Sequence, residues 1–323
     1  MIILTGGAGF IGSCFLWKLN QMGEKNVLVV DHDDSPEKMA NLAGKAYKDF
    51  QEKADFIKRV EANKLPSGIK AVWHIGACSS TTETDAEYLD ENNTNYSKSL
   101  CRWSLDHAVP FFYASSAATY GSGDQGYSDQ DSLLPRLKPL NLYGLSKQKF
   151  DLWLLKKGLT KKVVGFKYFN VYGPNEYHKG EMRSLVVKAY QQIKQDGRIR
   201  LFKSYKPEYS HGEQKRDFIY VKDCLEVMYK FWEKPKIKGI FNLGTGLARS
   251  WNDLARAIFH ALGLPARIEY IDMPPEIKDK YQYFTQAELM KFWATGIKHE
   301  FMPLEAAVED YVRNYLEKGL VRL

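Results

Sequence analysis

The chain has 323 residues, of which 44% are hydrophobic and 26% charged, and its formal net charge is +7. This composition is typical of a globular protein with a sizeable core, and it excludes an intrinsically disordered chain. No apolar run approaches the roughly 20 residues that a membrane-spanning helix needs, so no membrane role is expected. The basic excess suits an anionic ligand. Nucleic-acid binding is not expected, because no basic stripe is interleaved with aromatic residues.

The cysteines and histidines show no metal-binding pattern. Cys14, Cys78, Cys101 and Cys224 lie far apart without a Cys-x-x-Cys pair, and the seven histidines lack the spacing of metal ligands. We therefore expect reduced thiols and no metal site. The first residues lack the basic segment of a signal peptide and lead directly into a glycine turn, so we expect a cytoplasmic protein.

The first half of the chain alternates short apolar runs with amphipathic stretches. The apolar runs predict buried strands at residues 2–5, 27–31, 71–75, 111–115 and 163–168. The amphipathic stretches predict helices at residues 10–22, 54–62, 86–107 and 142–156. Strands that alternate with helices favour an α/β fold, here a Rossmann-type doubly wound parallel sheet covered on both faces.

The pattern loosens after residue 172. A polar segment at 203–215 is followed by strand-like runs at 218–221 and 240–243, which alternate with helical patterns at 251–262 and 304–316. We therefore assign residues 1–172 to the Rossmann-type domain, with some later segments returning to it. Residues 173–323 are assigned mainly to a smaller C-terminal α/β substrate lobe, which closes a cleft over the carboxyl edge of the sheet.

A glycine-rich turn joins the first predicted strand to the first predicted helix. It runs from Thr5 to Gly12 and satisfies Gly-x-x-Gly-x-x-Gly through Gly6, Gly9 and Gly12, and Gly-x-Gly-x-x-Gly from Gly7. Glycine lets the backbone approach a pyrophosphate closely, and the N-terminus of the following helix offers N–H groups and a partial positive charge to that anion. The turn therefore predicts a dinucleotide-binding site.

The second predicted strand ends in an acid, Asp31, about 20 residues further on, as the dinucleotide-binding fingerprint requires. An acid at this position binds the ribose hydroxyls and favours NAD. His32 and Lys38 follow it, however, and could hold the 2′-phosphate of NADP. The residues alone leave NAD and NADP open.

A tyrosine and a lysine lie one helical turn apart at Tyr143 and Lys147. A phenol with a pKa of about 10 needs roughly 4 kcal/mol to become a base near pH 7. An ammonium a few Å away supplies about that much at an effective dielectric constant of about 20. Ser116 ends a preceding strand, where its hydroxyl can bind the reacting oxygen. Tyr190 and Lys194 have the same spacing without such a strand, and we interpret that pair as an exposed helix face.

With these motifs placed, the chain resembles an extended short-chain dehydrogenase/reductase over essentially its whole length. Further matches are RDFIYVKD at 216–223 and NLGTG at 242–246. Within that family it is most similar to the branch that inverts C-6 of an ADP-linked heptose. That similarity is carried by HIGACSSTTE at 74–83, ASSAATYG at 114–121, FNVYGP at 169–174, HKG at 178–180 and YQYFTQ at 281–286.

The resemblance implies an isomerase of lipopolysaccharide core heptose synthesis. Such an enzyme oxidises ADP-D-glycero-β-D-manno-heptose transiently to a 6-keto sugar and re-reduces it from the other face. It also implies a tightly bound and recycled cofactor, NADP in preference to NAD. Besides the glycine turn, the residues implied to bind the cofactor are Phe10, Ile11, Asp31, His32, Lys38, Lys53, Ile75, Gly76, Ala77, Cys78, Ser79, Asn92, Lys147, Val171 and Lys179.

The resemblance also implies that Lys179 is a second acid/base group. An epimerase delivers hydride to both faces of one carbon, so a group opposite Tyr143 is useful, and one of the two removes the hydroxyl proton while the other returns it. Lys147 would orient the nicotinamide ribose and lower the pKa of the tyrosine, and Ser116 would hydrogen-bond the reacting oxygen.

The residues implied to contact the ADP-sugar are Ser116, Asn170, Glu181, Lys188, Phe202, Arg216 and Tyr281. Arg216 suits a diphosphate because a guanidinium forms bidentate contacts. Glu181 and Lys188 occupy substrate-loop positions without matching the usual residue types. A polar insert at 203–215 replaces a shorter acidic segment of the family.

Particular residues argue against one alternative function, and two others stay open. A nucleotide-sugar 4,6-dehydratase needs an Asp-Glu pair after the active-site hydroxyl, and Ala117 and Ala118 stand at those positions. A UDP-sugar 4-epimerase and a catalytically silent NADP-binding sensor stay open, although such sensors typically lose the tyrosine or the lysine. The family forms homo-oligomers, and the resemblance implies the same for this chain.

Overall fold

The structure, a computed structural model, describes residues 1–32, 35–278 and 281–323. The strands in these ranges are β1 (Ile2–Thr5), β2 (Val27–Asp31), β3 (Asp49–Glu52), β4 (Ala71–His74), β5 (Phe111–Ser116), β6 (Val164–Tyr168), β7 (Asn170–Tyr172), β8 (Ile199–Phe202), β9 (Lys215–Tyr220), β10 (Gly239–Leu243), β11 (Ala248–Ser250) and β12 (Ile268–Ile271).

The α-helices in the same ranges are α1 (Phe10–Gln21), α2 (Pro36–Met39), α3 (Lys53–Glu61), α4 (Ala86–Leu89), α5 (Tyr96–Asp106), α6 (Leu142–Lys156), α7 (Leu185–Asp196), α8 (Val221–Trp232), α9 (Trp251–Ala261), α10 (Pro275–Lys278), α11 (Met290–Trp293) and α12 (Leu304–Tyr311). Short 3₁₀ turns are found at Ala40–Leu42, Ala117–Tyr120, Asp131–Arg136, Thr160–Lys162 and Tyr177–Met182, and π-helical turns at Asp90–Asn95 and Val312–Leu316.

Seven of the described strands form one parallel sheet in the order β10-β6-β5-β4-β1-β2-β3. Apart from β10, this is the strand order of a doubly wound Rossmann fold, so the predicted fold class is confirmed. The order reverses between β1 and β4. In such folds the ligand binds in the crevice outside the carboxyl ends of the strands at this reversal.

The central strands are apolar because helices cover both faces of the sheet. Trp73 of β4 stacks on Phe112 of β5 with ring centroids 4.0 Å apart and contacts Phe15 of α1 at 4.4 Å. Tyr113, which follows Phe112 and so faces the other side, meets Phe150 of α6 edge-on at 4.9 Å. This alternation buries large aromatic side chains in both layers and fixes α1 and α6 against the sheet.

Two of the differences from the sequence prediction lie in the first half of the chain. The helix predicted at 86–107 is α4 and α5 joined by the π-helical turn Asp90–Asn95. In that turn the buried Asn93 side chain accepts the Cys78 N–H and donates to the Ser146 hydroxyl, contacts with distant segments that no local pattern reveals. Strand β3 was not predicted, because its sequence Asp-Phe-Gln-Glu contains a single apolar residue, Phe50. It lies at the edge of the sheet and pairs with β2.

The second half of the chain adds two small sheets and returns once to the large one. Strands β11, β9 and β7 form a three-stranded sheet, and β12 pairs with β8. The run predicted at 240–243 lies in β10, which pairs in parallel with β6. The assignment of 173–323 mainly to a substrate lobe stays a prediction. Among the described helices, none is both long and apolar enough to cross a lipid bilayer.

Candidate active site

A cavity of about 540 Å³ opens at the carboxyl ends of β1, β2, β4, β5 and β6. Tyr143 and Ser116 line it together with every residue predicted to contact the cofactor, namely Gly6, Gly9, Phe10, Ile11, Gly12, Asp31, His32, Lys38, Lys53, Ile75, Gly76, Ala77, Cys78, Ser79, Asn92, Lys147, Val171 and Lys179. The fold therefore gathers these dispersed residues at one crevice.

The glycine turn is packed too tightly for side chains at two of the three glycines predicted to contact the cofactor. A Cβ on Gly6, whose φ is +69°, would lie 2.5 Å from the Gly76 Cα, and one on Gly12 would lie 2.0 Å from the Gly6 carbonyl oxygen. Gly9 meets only the Gly6 carbonyl oxygen, at 3.2 Å, and lines the cavity. Because the first amides of α1 have no partner within the helix, the turn is a cradle that fits a pyrophosphate.

Asp31, at the end of β2, is hydrogen-bonded to the backbone of this glycine turn. Its Oδ2 accepts the Ala8 N–H at 2.9 Å and the Gly9 N–H at 3.2 Å. Its Oδ1 accepts the His32 N–H at 2.8 Å and pairs with the Lys38 Nζ at 3.0 Å. Both carboxylate oxygens are thus engaged within the chain, and Lys38 offsets the charge.

Further polar groups surround the outer end of the cavity. Lys53 donates from Nζ to the Asn92 Oδ1 at 2.9 Å, and the His32 Nδ1 lies 3.0 Å from the Glu52 Oε1. The Lys53 Nζ also lies 6.0 Å from the ring centroid of Tyr88. Lysine, histidine and an aromatic ring at this end fit the ribose and base of a dinucleotide.

Tyr143 begins the first turn of α6 beside the end of β5. Asn141 caps the helix by accepting the Gly144 N–H at 2.7 Å. A Cβ on Gly144 would lie 2.8 Å from the Ala118 carbonyl oxygen, so glycine lets the helix approach the segment after Ser116. Ser116 lowers the pKa of Tyr143, and both side chains line the cavity. A tyrosine and a serine hydroxyl thus meet at the same wall of the cavity.

Lys147 lies one turn along the helix and is buried. Its Nζ donates to the Ala114 carbonyl oxygen at 2.9 Å, and burial lowers the pKa of Lys147 to about 8. Burial raises the pKa of Tyr143, and the Ser116 hydrogen bond partly opposes this. We expected Lys147 to lower the pKa of Tyr143, but in this structure the ammonium is directed at a carbonyl group, and burial has the larger effect.

Lys179 approaches the cavity from the 3₁₀ turn that follows β7. Its Nζ lies 5.9 Å from the ring centroid of Phe10, and the side chain is half-buried. Burial lowers the pKa of Lys179, whereas the charge of Glu176 raises it. Tyr143 and Lys179 come from different segments and line one cavity, so two proton-transferring groups are available there.

The residues predicted to contact the sugar nucleotide, apart from Ser116, do not line this cavity. Arg216 is only 6% exposed and lies between Trp251 and Tyr281, with its Cζ 5.6 and 5.1 Å from the ring centroids. It donates to the Lys215 and Gln282 carbonyl oxygens. No carboxylate partner of Arg216 is found in the described residues, which leaves a buried cation suited to an anion.

The other predicted substrate residues are more scattered. Phe202 lies near Tyr281, with ring centroids 6.4 Å apart, so it belongs to the Arg216 cluster. Asn170 is exposed on β7. Glu181 and Lys188 form an ion pair of 3.0 Å, and the Glu181 side chain is 93% exposed. The structure therefore joins Phe202, Arg216 and Tyr281 and leaves the other three apart.

The structure adds cavity residues that sequence reasoning did not single out: Thr5, Val30, His74, Ser80, Tyr88, Tyr96, Ala114, Ser115, Tyr168, Phe169, His178 and Met182. Most of them lie next to a predicted residue or at the carboxyl end of a strand, so the sequence could have indicated them. Tyr88 and Met182 lie in segments without such a signal. No cluster of three or more His, Cys, Asp or Glu side chains suited to a metal ion is found in the described ranges.

His74 is the buried titratable group beneath the cavity. Its Nδ1 lies 2.7 Å from the Thr5 Oγ1 and its Nε2 2.8 Å from the Ser97 Oγ. Burial, aided by the charge of Lys147, lowers the pKa of His74 to about 3. The imidazole is therefore neutral at neutral pH and joins the ends of β1 and β4.

Comparison with known proteins relates the chain to nucleotide-sugar epimerases by sequence profile and by sequence identity. A sequence profile of the NAD dependent epimerase/dehydratase family matches residues 2–244. An ADP-L-glycero-D-manno-heptose-6-epimerase of Nitratidesulfovibrio vulgaris (strain DP4) is 52% identical over 98% of this chain and 98% of that protein. A protein of the same name from Fusobacterium nucleatum is 46% identical, again over 98% of each chain.

Solved structures show the same likeness. The crystal structure of ADP-L-glycero-D-manno-heptose-6-epimerase from Helicobacter pylori has a TM-score of 0.80 and 26% identity, covering 97% of this chain and 95% of that one. A UDP-glucose 4-epimerase from Thermotoga maritima, solved with UDP-glucose, has a TM-score of 0.78 and 25% identity, covering 99% of both chains.

Proposed function

The chain belongs to the NAD dependent epimerase/dehydratase family, and from that premise we propose that it converts ADP-D-glycero-β-D-manno-heptose to its L-glycero epimer at C-6. The observation that carries this is the shared cavity of Tyr143 and Lys179 beside the dinucleotide cradle. Inversion of a carbinol carbon by oxidation and reduction needs a proton-transferring group for each face, and two such groups are present. Relatives at 52% and 46% identity that carry this activity in their names support the choice of substrate.

The proposed reaction begins with removal of the C-6 hydroxyl proton by one of Tyr143 and Lys179. When bound, a nicotinamide cofactor would supply the redox chemistry, as acceptor and then donor of the C-6 hydride. The resulting 6-keto sugar turns within the cavity, and the second group protonates the oxygen as the opposite face is reduced. Ser116 hydrogen-bonds the reacting oxygen throughout, and Lys147 orients the nicotinamide ribose.

The buried phenol needs positive charge nearby to act as a base. Bringing a pKa of about 10 near 7 requires roughly 4 kcal/mol, and burial adds to this requirement. An ammonium about 4 Å away contributes roughly 4 kcal/mol at an effective dielectric constant of about 20. The Lys147 ammonium would therefore lower the pKa of Tyr143 by about the required amount after turning from the Ala114 carbonyl oxygen toward the phenol.

Arg216 is proposed to bind the diphosphate of the substrate. It is buried between two aromatic rings, and its guanidinium can form paired hydrogen bonds with phosphate oxygens. Phe202 and Tyr281 extend the same cluster. Asn170, Glu181 and Lys188, which lie apart from this cluster, are proposed as weaker contacts of the substrate. In this scheme residues 173–323 supply the substrate lobe, while 1–172 hold the cofactor.

For the cofactor we propose NADP rather than NAD. Asp31 already accepts three hydrogen bonds from the chain and is paired with Lys38, so its negative charge is offset where a 2′-phosphate would bind. A Lys38→Ala change should weaken NADP binding about tenfold more than NAD binding, because one charge-assisted contact is lost. Calorimetry with both cofactors measures this, and the exposed Lys58→Ala serves as control. Equal losses for both cofactors would count against NADP.

The deciding experiment follows C-6 by NMR. The purified protein is incubated with ADP-D-glycero-β-D-manno-heptose, first without and then with added NADP⁺. Formation of the L-glycero epimer without added cofactor is expected if the cofactor is tightly bound and recycled. No conversion with either NADP⁺ or NAD⁺ would refute the proposal. Conversion of UDP-glucose to UDP-galactose instead would favour a 4-epimerase, as in the Thermotoga maritima structure.

We further propose that the enzyme acts as a homo-oligomer in the cytoplasm, as the resemblance implies. Light scattering on the eluted protein measures the mass directly. A mass equal to the chain mass of 37.2 kDa would refute the oligomer.

A further inference from the structure

Glu176 lies three residues before Lys179 and is only 1% exposed. Its Oε1 accepts hydrogen bonds from the Gly173 N–H at 3.2 Å, the Ser184 hydroxyl at 2.7 Å and the Tyr311 hydroxyl at 3.1 Å. Its Oε2 accepts the Ser184 N–H. Burial raises the pKa of Glu176, and the hydrogen bonds from Ser184 and Gly173 oppose this. All four partners donate, an arrangement that favours the ionised carboxylate.

These bonds close the segment that carries Lys179. Gly173 follows β7 and Ser184 precedes α7, so the carboxylate ties together the two ends of the segment. Tyr311 adds a bond from α12. By contrast, the segment is loosely packed next to Lys179: Gly180 has a φ of +52°, and a Cβ there would meet nothing within 4 Å. The placement of Lys179 therefore depends on the buried carboxylate rather than on packing at Gly180.

Glu176 also provides charge. Burial lowers the pKa of Lys179 and Glu176 raises it, so the carboxylate compensates for part of the burial. The other titratable groups that face Glu176 are Tyr177, Tyr311 and Cys14, and burial raises the pKa of each, which keeps them neutral at neutral pH. Lys179 shares its cavity with Tyr143, Lys147, Cys78 and His178.

We propose that Glu176 is the positioning residue of Lys179: it holds the segment in place and keeps the ammonium able to donate a proton. The inference rests on the proposed function, in which Lys179 serves one of the two epimers and Tyr143 the other. Glu176 itself does not line the cavity, so it acts through Lys179 and not on the substrate.

The kinetic test uses Glu176→Gln, which keeps the shape, removes the charge and turns an amide NH₂ toward donors. Each epimer is mixed separately with the NADP⁺-loaded enzyme, and reduced cofactor is followed in a single turnover. Glu176→Gln should slow the epimer that Lys179→Met slows, by about tenfold or more, and spare the other. Equal slowing of both epimers would overturn the proposal, because a general structural defect acts on both.

A second readout needs no turnover. The pKa of Lys179 is measured by NMR in ¹³C-lysine-labelled protein, with the signal assigned by Lys179→Met. Glu176→Gln should lower this pKa, and Glu176→Asp, which keeps the charge, should restore most of it. An unchanged pKa in Glu176→Gln would overturn the proposal.

Matched variants separate the remaining explanations. Tyr311→Phe removes one of the four donors but leaves the charge, so both readouts should stay near those of the unaltered protein. If Glu176→Gln does not fold, Ser184→Ala replaces it. Ser184 closes the end of the segment that carries Lys179, whereas Tyr311 lies outside it. Loss of the Ser184 hydroxyl should therefore give a smaller slowing of the same epimer, and symmetric slowing would contradict us. If Lys179→Met itself slows both epimers equally, the assignment of one proton-transferring group to each epimer fails, while the NMR titration still decides the role of Glu176.

Discussion

Asp151 and Lys167 form an ion pair, with 2.6 Å between Oδ2 and Nζ, and neither side chain is exposed at all. The Asp151 carboxylate also accepts hydrogen bonds from the Tyr113 and Ser115 hydroxyls at 2.8 and 2.7 Å. The pair lies one turn of α6 beyond Lys147. It therefore joins the helix that carries Tyr143 and Lys147 to strands β5 and β6.

Replacing Lys167 by Met should destabilise the protein by about 3–5 kcal/mol, since it leaves a buried carboxylate without its counter-charge. Urea unfolding measures the change in free energy. Lys194→Met is the matched control, because Lys194 is 52% exposed and pairs with Glu317 on the surface; its cost should stay below about 1 kcal/mol. Similar costs for both variants would contradict the argument.

Replacing Tyr143 by Phe should lower turnover by about 10²–10⁴-fold while cofactor binding is retained, because the hydroxyl transfers a proton and the ring does not. The rate is measured on both epimers, and cofactor content by absorbance. Tyr190→Phe tests the second Tyr-x-x-x-Lys pair. Its hydroxyl contacts Glu317 at 2.6 Å, and its loss should leave the rate unchanged.

Replacing Gly9 by Ala should weaken cofactor binding about tenfold or more with little loss of stability. Gly9 has a φ of −71°, which alanine adopts, but its Cβ would stand where the turn approaches the pyrophosphate. Gly12→Ala should lose both stability and cofactor, because its Cβ would lie 2.0 Å from the Gly6 carbonyl oxygen. Thermal unfolding and cofactor titration of both variants distinguish these outcomes.

Replacing Arg216 by Lys should raise KM for the ADP-sugar about 10- to 100-fold, with a smaller effect on kcat, since the paired hydrogen bonds and the stacking are lost. Arg249→Lys is the control on the neighbouring strand. Arg249 is opposite Arg216 in the sheet register but pairs with Asp253 and Glu305. An equal rise in KM for both variants would argue against a specific role of Arg216.

Stability should fall as pH falls from about 6.5 to about 3, in part because His74 must be protonated on unfolding. Its pKa is about 3 in the folded chain against 6.5 ordinarily, so the unfolded chain binds the extra proton in this window. The expected contribution is about 1.4 kcal/mol per pH unit. Urea unfolding at pH 7 and pH 5 should show a weaker pH dependence in His74→Gln. An unchanged dependence would refute this assignment.

The sequence predicts those elements whose signals are local. Strands 2–5 and 27–31 and the helix 142–156 agree with the structure residue for residue, because apolar runs, a glycine turn and a helical pattern mark their ends. The sequence also indicates most of the cavity, since residues at the carboxyl ends of parallel strands must meet at one edge.

Contacts between distant segments could not be predicted. Glu176 follows a recognisable motif, but its bonds to Ser184 and Tyr311 depend on how α7 and α12 pack. The pairing of Asp31 with Lys38 likewise depends on the path of the loop after β2. Sequence spacing placed Lys147 near Tyr143, yet it did not show that the ammonium points to the Ala114 carbonyl oxygen.

The return of β10 to the edge of the large sheet has a consequence for synthesis of the chain. Residues 169–238 separate β6 from the strand that covers it. While a ribosome makes this stretch, one side of β6 keeps unpaired N–H and C=O groups, which can recruit a strand from another nascent chain. A chain stopped before Gly239 would keep that edge permanently, so premature termination there should yield aggregates rather than a smaller folded protein.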